Sequence, residues 1–132
     1  METKNFDNLL NSLEELKQEI KKTTGINRAG VNQATRLVGN GDYIKPSSWE
    51  RLSAEEENKY ILANGMDAYS KWFLGVDANI DPKTKGHWTY IYTSDFKTVD
   101  RAGLIAIRQR AGQNGETAIF EAAGKLIETI DA

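Results

Sequence analysis

The sequence contains no cysteine, two prolines and a single histidine. Without cysteine there is no disulfide scaffold, no thiolate zinc site and no cysteine nucleophile, and the chain suits a reducing compartment. Long apolar runs are missing as well. No stretch approaches the roughly 20 residues needed to cross a bilayer, and Met1 to Phe6 lacks the basic region and apolar core of a secretory signal. Nor is there a charge excess. Seventeen Lys and Arg stand against 19 Asp and Glu, a net charge of −2, so the chain as a whole exerts no long-range pull on DNA or an anionic membrane. A cytoplasmic protein with no membrane partner is the expectation.

What is present suits one folded domain. The 132 residues are 39% apolar and 27% charged, enough to close a core and too apolar for a disordered chain. Phe6, Leu9, Leu13, Leu16 and Ile20 recur at spacings of three and four, the stripe of an amphipathic helix over residues 1–25. Lys21 and Lys22 suit its last turn, and Gly25 can close it. A lone helix of this length is marginal in water, so the stripe needs a partner, either the rest of the chain or a second copy. Residues 26–46 are weakly patterned and read as a linker with a short helix around Val31, Ala34, Leu37 and Val38, followed by the turn Gly39-Asn40-Gly41-Asp42.

Residues 47–132 read as a compact α+β domain. Ser47 with Glu50, and Ser53 with Glu56, each form a capping box at a helix start; the second opens a helix that Gly65 stops. Ala68 to Val76 fits either a strand or a helix, and its aromatic and β-branched content favours a strand. His87 to Thr93 is the clearest strand, with Trp88, Tyr90 and Tyr92 facing one way and His87, Thr89, Ile91 and Thr93 the other. The two segments are expected to pair as an antiparallel hairpin. Asp100 can cap a helix carrying Leu104, Ile105, Ile107 and Ala111, Gly112 to Gly115 turns the chain, and a last helix carries Ile119, Ala122, Ala123, Leu126, Ile127 and Ile130. The expected architecture is an N-terminal helix, short helices and a small β-hairpin packed against a C-terminal αα-hairpin.

Candidate chemistry is sparse. His87 would have to serve any Ser-His-Asp triad, yet no nucleophile turn accompanies it. Asp77, Asn79 and Asp81 begin with the spacing of a calcium loop, but the sixth position is Pro82 and the twelfth Trp88, so a turn is expected. Glu14-Glu15 and Glu55-Glu56-Glu57 sit where helix starts and solvated faces favour acids. Arg101, Arg108 and Arg110, close in sequence to Trp88, Tyr90 and Tyr92, could hold phosphates beside stacking rings; an aromatic strand face is equally a core face.

Lys71-Trp72-Phe73-Leu74-Gly75-Val76-Asp77, Asp81-Pro82-Lys83-Thr84-Lys85, Tyr90-Ile91-Tyr92 and Asp100-Arg101-Ala102-Gly103-Leu104-Ile105-Ala106 with Arg108-Gln109-Arg110-Ala111 resemble a short module of uncharacterised bacterial and prophage proteins, including regions associated with phage head-maturation proteases and capsid genes. The resemblance covers roughly residues 66–131 and implies a phage or mobile-element setting. It carries no catalytic residue. The functional expectation is a non-enzymatic protein-interaction module, with no metal, cofactor or small-molecule substrate, self-associating or binding another protein through Phe6, Leu9, Leu13, Leu16 and Ile20. Two alternatives are a nucleic-acid-binding accessory protein using Arg101, Arg108 and Arg110, and a phage-encoded inhibitor of a host protein that presents Glu55 to Glu57.

Overall fold

The computed structural model describes residues 25–132; the stripe from Phe6 to Ile20 lies outside the described residues. Within them the fold is α+β, with four α-helices and two small sheets. The chain runs through β1 (Gly25–Ile26), α1 (Arg28–Gly39), β2 (Tyr43–Ile44), α2 (Ala54–Ser70), β3 (Phe73–Val76), a short 3-10 turn at Lys85–His87, β4 (Trp88–Ile91), β5 (Val99–Asp100), α3 (Arg101–Gln113) and α4 (Thr117–Asp131).

The expected antiparallel hairpin is present as β3 and β4, with Phe73 opposite Ile91, Gly75 opposite Thr89 and Val76 opposite Trp88. β1 extends it on the other edge of β3, pairing Gly25 with Val76 and Ile26 with Gly75. A second, two-stranded sheet joins β2 to β5 in parallel, Tyr43 beside Val99 and Ile44 beside Asp100. Among the described residues no helix is long and apolar enough to cross a membrane.

Residues 26–46 do not form a linker. They contribute two strands and a helix of 12 residues, and the buried positions of α1 are Gly30, Ala34 and Val38, one every four residues. This face is narrow because the helix lies very close to β3. A Cβ on Gly30 would overlap the Phe73 carbonyl oxygen and stand 2.9 Å from its carbonyl carbon. Asn27 secures the same junction: its backbone N–H donates to Leu74 O (2.8 Å), and its side-chain Nδ2 donates to Ser70 O (2.8 Å) and Phe73 O (3.0 Å). Both groups of this buried amide region are thus satisfied where water cannot reach.

The helix predicted from Ser53 forms, and its capping box is complete. Ser53 Oγ accepts from Glu56 N at 3.1 Å, and Glu56 Oε1 accepts from Ser53 N at 3.4 Å. Gly65 breaks the helical backbone with φ 89° and ψ 164°, but the chain resumes helical turns as far as Ser70. Ala68 to Ser70 are therefore helical, and only Phe73–Val76 is strand. Burial explains the split: Tyr69 packs on Phe73 with ring centroids 4.8 Å apart, while Ser70 Oγ closes the last turn onto Asp67 O. The Ser47–Glu50 box starts no helix. That stretch stays irregular, and Trp49 lays its ring over α3 where Gly103 has no side chain, 2.5–2.9 Å from where a Cβ would stand.

The C-terminal pair α3–α4 packs as predicted. Asp100 caps α3 by accepting from Gly103 N at 3.0 Å, and Ala111 and Ala123 are fully buried. The largest fully buried side chains are Tyr69, Tyr92, Phe73, Leu74, Leu104 and Ile119, and the aliphatic and Phe side chains among them each contribute roughly 1.5–3 kcal/mol of transfer free energy.

Candidate functional site

A cleft of about 590 Å³ opens where the β3–β4 hairpin meets the α3–α4 turn. Val76 and Asp77 supply one wall, Thr89 and Tyr90 the floor, and Arg110, Asn114 and Glu116 the other wall. Tyr90 has φ 65°, a left-handed conformation that costs a bulky residue of order 1 kcal/mol or more. Its hydroxyl accepts from Asn114 Nδ2 at 3.0 Å. Burial pushes the Tyr90 phenol above its ordinary pKa; the Asn114 contact opposes this and Glu116 adds to it. The twist at Tyr90 also ends the alternation read from the sequence. Ile91, Tyr92 and Thr93 are all buried in succession, and Trp88 and Tyr90 are only half-buried. Tyr92 lies wholly inside, its hydroxyl donating to Lys71 O at 2.6 Å and accepting from Gln33 Nε2 at 3.2 Å, so it offers no face to a stacking base.

A second polar centre is interior. Glu57 is 6% exposed; its Oε1 accepts from the Tyr69 hydroxyl at 2.9 Å, with Arg51 Nη2 at 3.7 Å and Lys85 Nζ at 3.9 Å. Burial, then Glu57 itself, pushes the Tyr69 phenol well above its ordinary value. The acid run is therefore divided: Glu56 closes the capping box, Glu55 pairs with Lys59 at 3.6 Å, and Glu57 belongs to the core. The signal was available, because Glu57 falls three and four residues before the half-buried Tyr60 and Ile61 on one helix face.

Arg101 and Arg108, two helical turns apart on α3, both engage α4, and Arg110 lies on another face of the helix. Arg101 is clamped by Asp131, Nε to Oδ1 at 2.8 Å and Nη2 to Oδ2 at 2.6 Å. Arg108 lies over the Phe120 ring at 4.5 Å. Arg110, two residues and about 200° further round the helix, lines the Tyr90 cleft together with Asp77 and Glu116. His87 is buried against Trp88, ring centroids 4.4 Å apart, with Nδ1 bonded to Ile80 O at 2.6 Å. Asp77 Oδ1 accepts from Asn79 N and Asp81 Oδ1 from Lys83 N, the turn bonds expected of this loop. No group of three or more His, Asp or Glu among the described residues is arranged to hold a metal ion.

Apolar surface is left at Ile44 and Ile80 and, more extensively, in three other places among the described residues. Leu62, on α2 beside the Gly65 break, is 90% exposed. Ile105 joins Phe120 and Ile127 on the outer face of α3–α4. The third is a groove of about 450 Å³ between α1 and α4, floored by Ile26, Val31, Ala118, Ala122 and Leu126 and rimmed by Arg28, Glu121 and Lys125. Sequence reasoning missed this groove because its residues come from two segments about 90 positions apart in the chain, the separation of Arg28 from Ala118. No protein-family model, no curated protein and no solved structure matches the chain.

Proposed function

We propose that this chain is a non-enzymatic protein-interaction module, of phage or mobile-element origin, whose contact element is the apolar stripe Phe6, Leu9, Leu13, Leu16 and Ile20. The observation that carries this reading is the stripe itself: five large apolar side chains in one row need a protein surface to cover them. The described residues support it from the other side. Their histidine and most of their buried polar groups are bonded within the fold, and Arg101 and Arg108 are engaged by side chains of α4. The resemblance of residues 66–131 to prophage modules supplies the setting, and the lack of cysteine suits the cytoplasm.

The test is sedimentation equilibrium from about 1 to 200 μM. The wild-type chain associates as concentration rises, with a Kd in the micromolar range typical of small reversible interfaces. Leu9→Asp with Leu13→Asp stays monomeric while keeping its helical circular dichroism over the rest of the chain. A wild-type chain that is monomeric throughout, and that loses thermal stability when the stripe is altered, would make the stripe ordinary core and end the proposal.

A further inference from the structure

The cleft floored by Thr89 and Tyr90 is held in shape by its surroundings. Tyr90 keeps φ 65° inside β4, and a bulky residue stays in a left-handed backbone only where its neighbours over-determine it. Two neighbours do so here. Gly75, on the paired strand β3, has no side chain where a Cβ would stand 2.9 Å from Tyr90 Cδ2 and 2.5 Å from Thr89 Oγ1, so both floor residues lie close over that strand. Asn114, at the end of α3, donates from Nδ2 to the Tyr90 hydroxyl at 3.0 Å. We infer that this cleft binds a neutral saccharide, whose hydroxyls bond to Asp77, Arg110, Asn114 and Glu116 while a sugar ring lies against Tyr90. The site is independent of any contact through Phe6 to Ile20.

Three observations select this class of ligand. The first is size. About 590 Å³ falls within the roughly 300–1,000 Å³ of small-ligand sites and leaves room for more than one sugar ring. The second is the lining, in which Val76 alone lacks a polar side-chain atom. The carboxylates accept, the Arg110 guanidinium donates, and the Asn114 amide and Thr89 hydroxyl do both. A sugar hydroxyl also does both, so neighbouring hydroxyls of one ring match such a set, whereas a lipid chain would find no apolar wall. The third is charge. Among the described residues Arg110, Asp77 and Glu116 form no ion pair, although they line one cleft. Asp77 uses Oδ1 to accept from Asn79 N, and its Oδ2 remains for a ligand. Two acids against one cation disfavour an anion such as phosphate. Arg110 also shares its wall with Glu116, so neither pole of a zwitterion meets a surface of one sign. A neutral polyol meets no such conflict.

Amide NMR of the isotope-labelled full chain tests this, with cellobiose, maltose and diacetylchitobiose each titrated to about 20 mM and triglycine as the zwitterionic comparison. At least one sugar gives saturating shifts at Asp77, Thr89, Tyr90, Asn114 and Glu116, with a Kd of about 1 mM or tighter. Because the ligand is uncharged, that Kd stays the same between about 0.05 and 0.5 M salt. Arg110→Ala and Glu116→Gln each weaken binding about tenfold or more, whereas Gln109→Ala, exposed on another face of α3, leaves it unchanged. Amide positions away from the cleft report whether each variant is folded; Asn114→Ala, at an exposed turn position, replaces any variant that is not. No saturating shift with any of the three sugars overturns the inference. So do shifts that survive the cleft variants, or triglycine binding more tightly than every sugar.

Discussion

Gly30→Ala offers a sharp check on how α1 is seated. Judged by helix propensity alone, the change should help, since Ala exceeds Gly by about 1 kcal/mol in a helix interior. The structure predicts the opposite sign. The new methyl would overlap Phe73 O and stand 3.0 Å from Asn27 Nδ2, so α1 must move away from β3 or Phe73 must leave its place. Phe73 is fully buried and its carbonyl is one of the two acceptors of the Asn27 amide, so neither shift is cheap. Overpacking of this kind costs about 1–3 kcal/mol, and loosening two buried hydrogen bonds adds about 1 kcal/mol each. Set against the propensity gain, the net loss is roughly 2–4 kcal/mol, a large share of the 5–15 kcal/mol by which domains are stable. Gly39→Ala, at the end of the same helix with open space around it, is the control and should be neutral or mildly stabilising. Urea unfolding monitored by tryptophan fluorescence measures both. Equal or higher midpoints for Gly30→Ala would refute the close approach of α1 to β3.

Tyr69→Phe removes the hydroxyl that donates to buried Glu57, and should lower stability by about 1.5–3 kcal/mol; Glu57→Ala together with Tyr69→Phe should cost less than the two single changes summed, measured as a double-mutant cycle in urea. Asp100→Ala deletes both the α3 cap and the acceptor of Ser94 Oγ (2.8 Å), with an expected loss of at least about 1–2 kcal/mol, and Asp100→Asn should recover part of it. For Asp95, burial raises the carboxyl pKa, but the donors Thr98 N, Lys97 N, Thr98 Oγ and Thr93 Oγ together hold it below the usual carboxylate range. A carboxyl depressed by folding adds stability above its unfolded pKa and loses it as pH falls through the folded value. Asp95→Asn should therefore lower the urea midpoint near neutral pH and converge with wild type in acid; parallel pH curves would contradict this.

Several features were legible in the sequence because a local pattern carried them. The Ser53–Glu56 box, the Asp100 cap, the β4 strand and the α3–α4 pair each combine apolar periodicity with a capping or turn residue. α1 was legible only as a short helix around Val31, Ala34, Leu37 and Val38, and its seat against β3 was not. A helix that must touch the backbone of β3 buries Gly30, Ala34 and Val38, and so shows no large apolar side chain on that face. Ser47 and Glu50 have the spacing of a cap, but the ring of Trp49 finds its place over Gly103 only if the chain stays irregular there. Tyr90 could not be anticipated: nothing in Trp88-Thr89-Tyr90-Ile91 signals a left-handed residue in the middle of a strand. Glu57 is set apart from Glu55 and Glu56 by its spacing from Tyr60 and Ile61 and by what lies across from it, Tyr69, twelve residues on.

The two-residue parallel ladder of β2 with β5 bears on how this polypeptide is born. Tyr43 and Ile44 wait for Val99 and Asp100, so at roughly 5–20 residues per second of synthesis the ribosome has worked for several seconds before that ladder can close. During that interval α1 has neither β3 nor α4 to lie against for part of the time, and its nascent segment is open to chaperones.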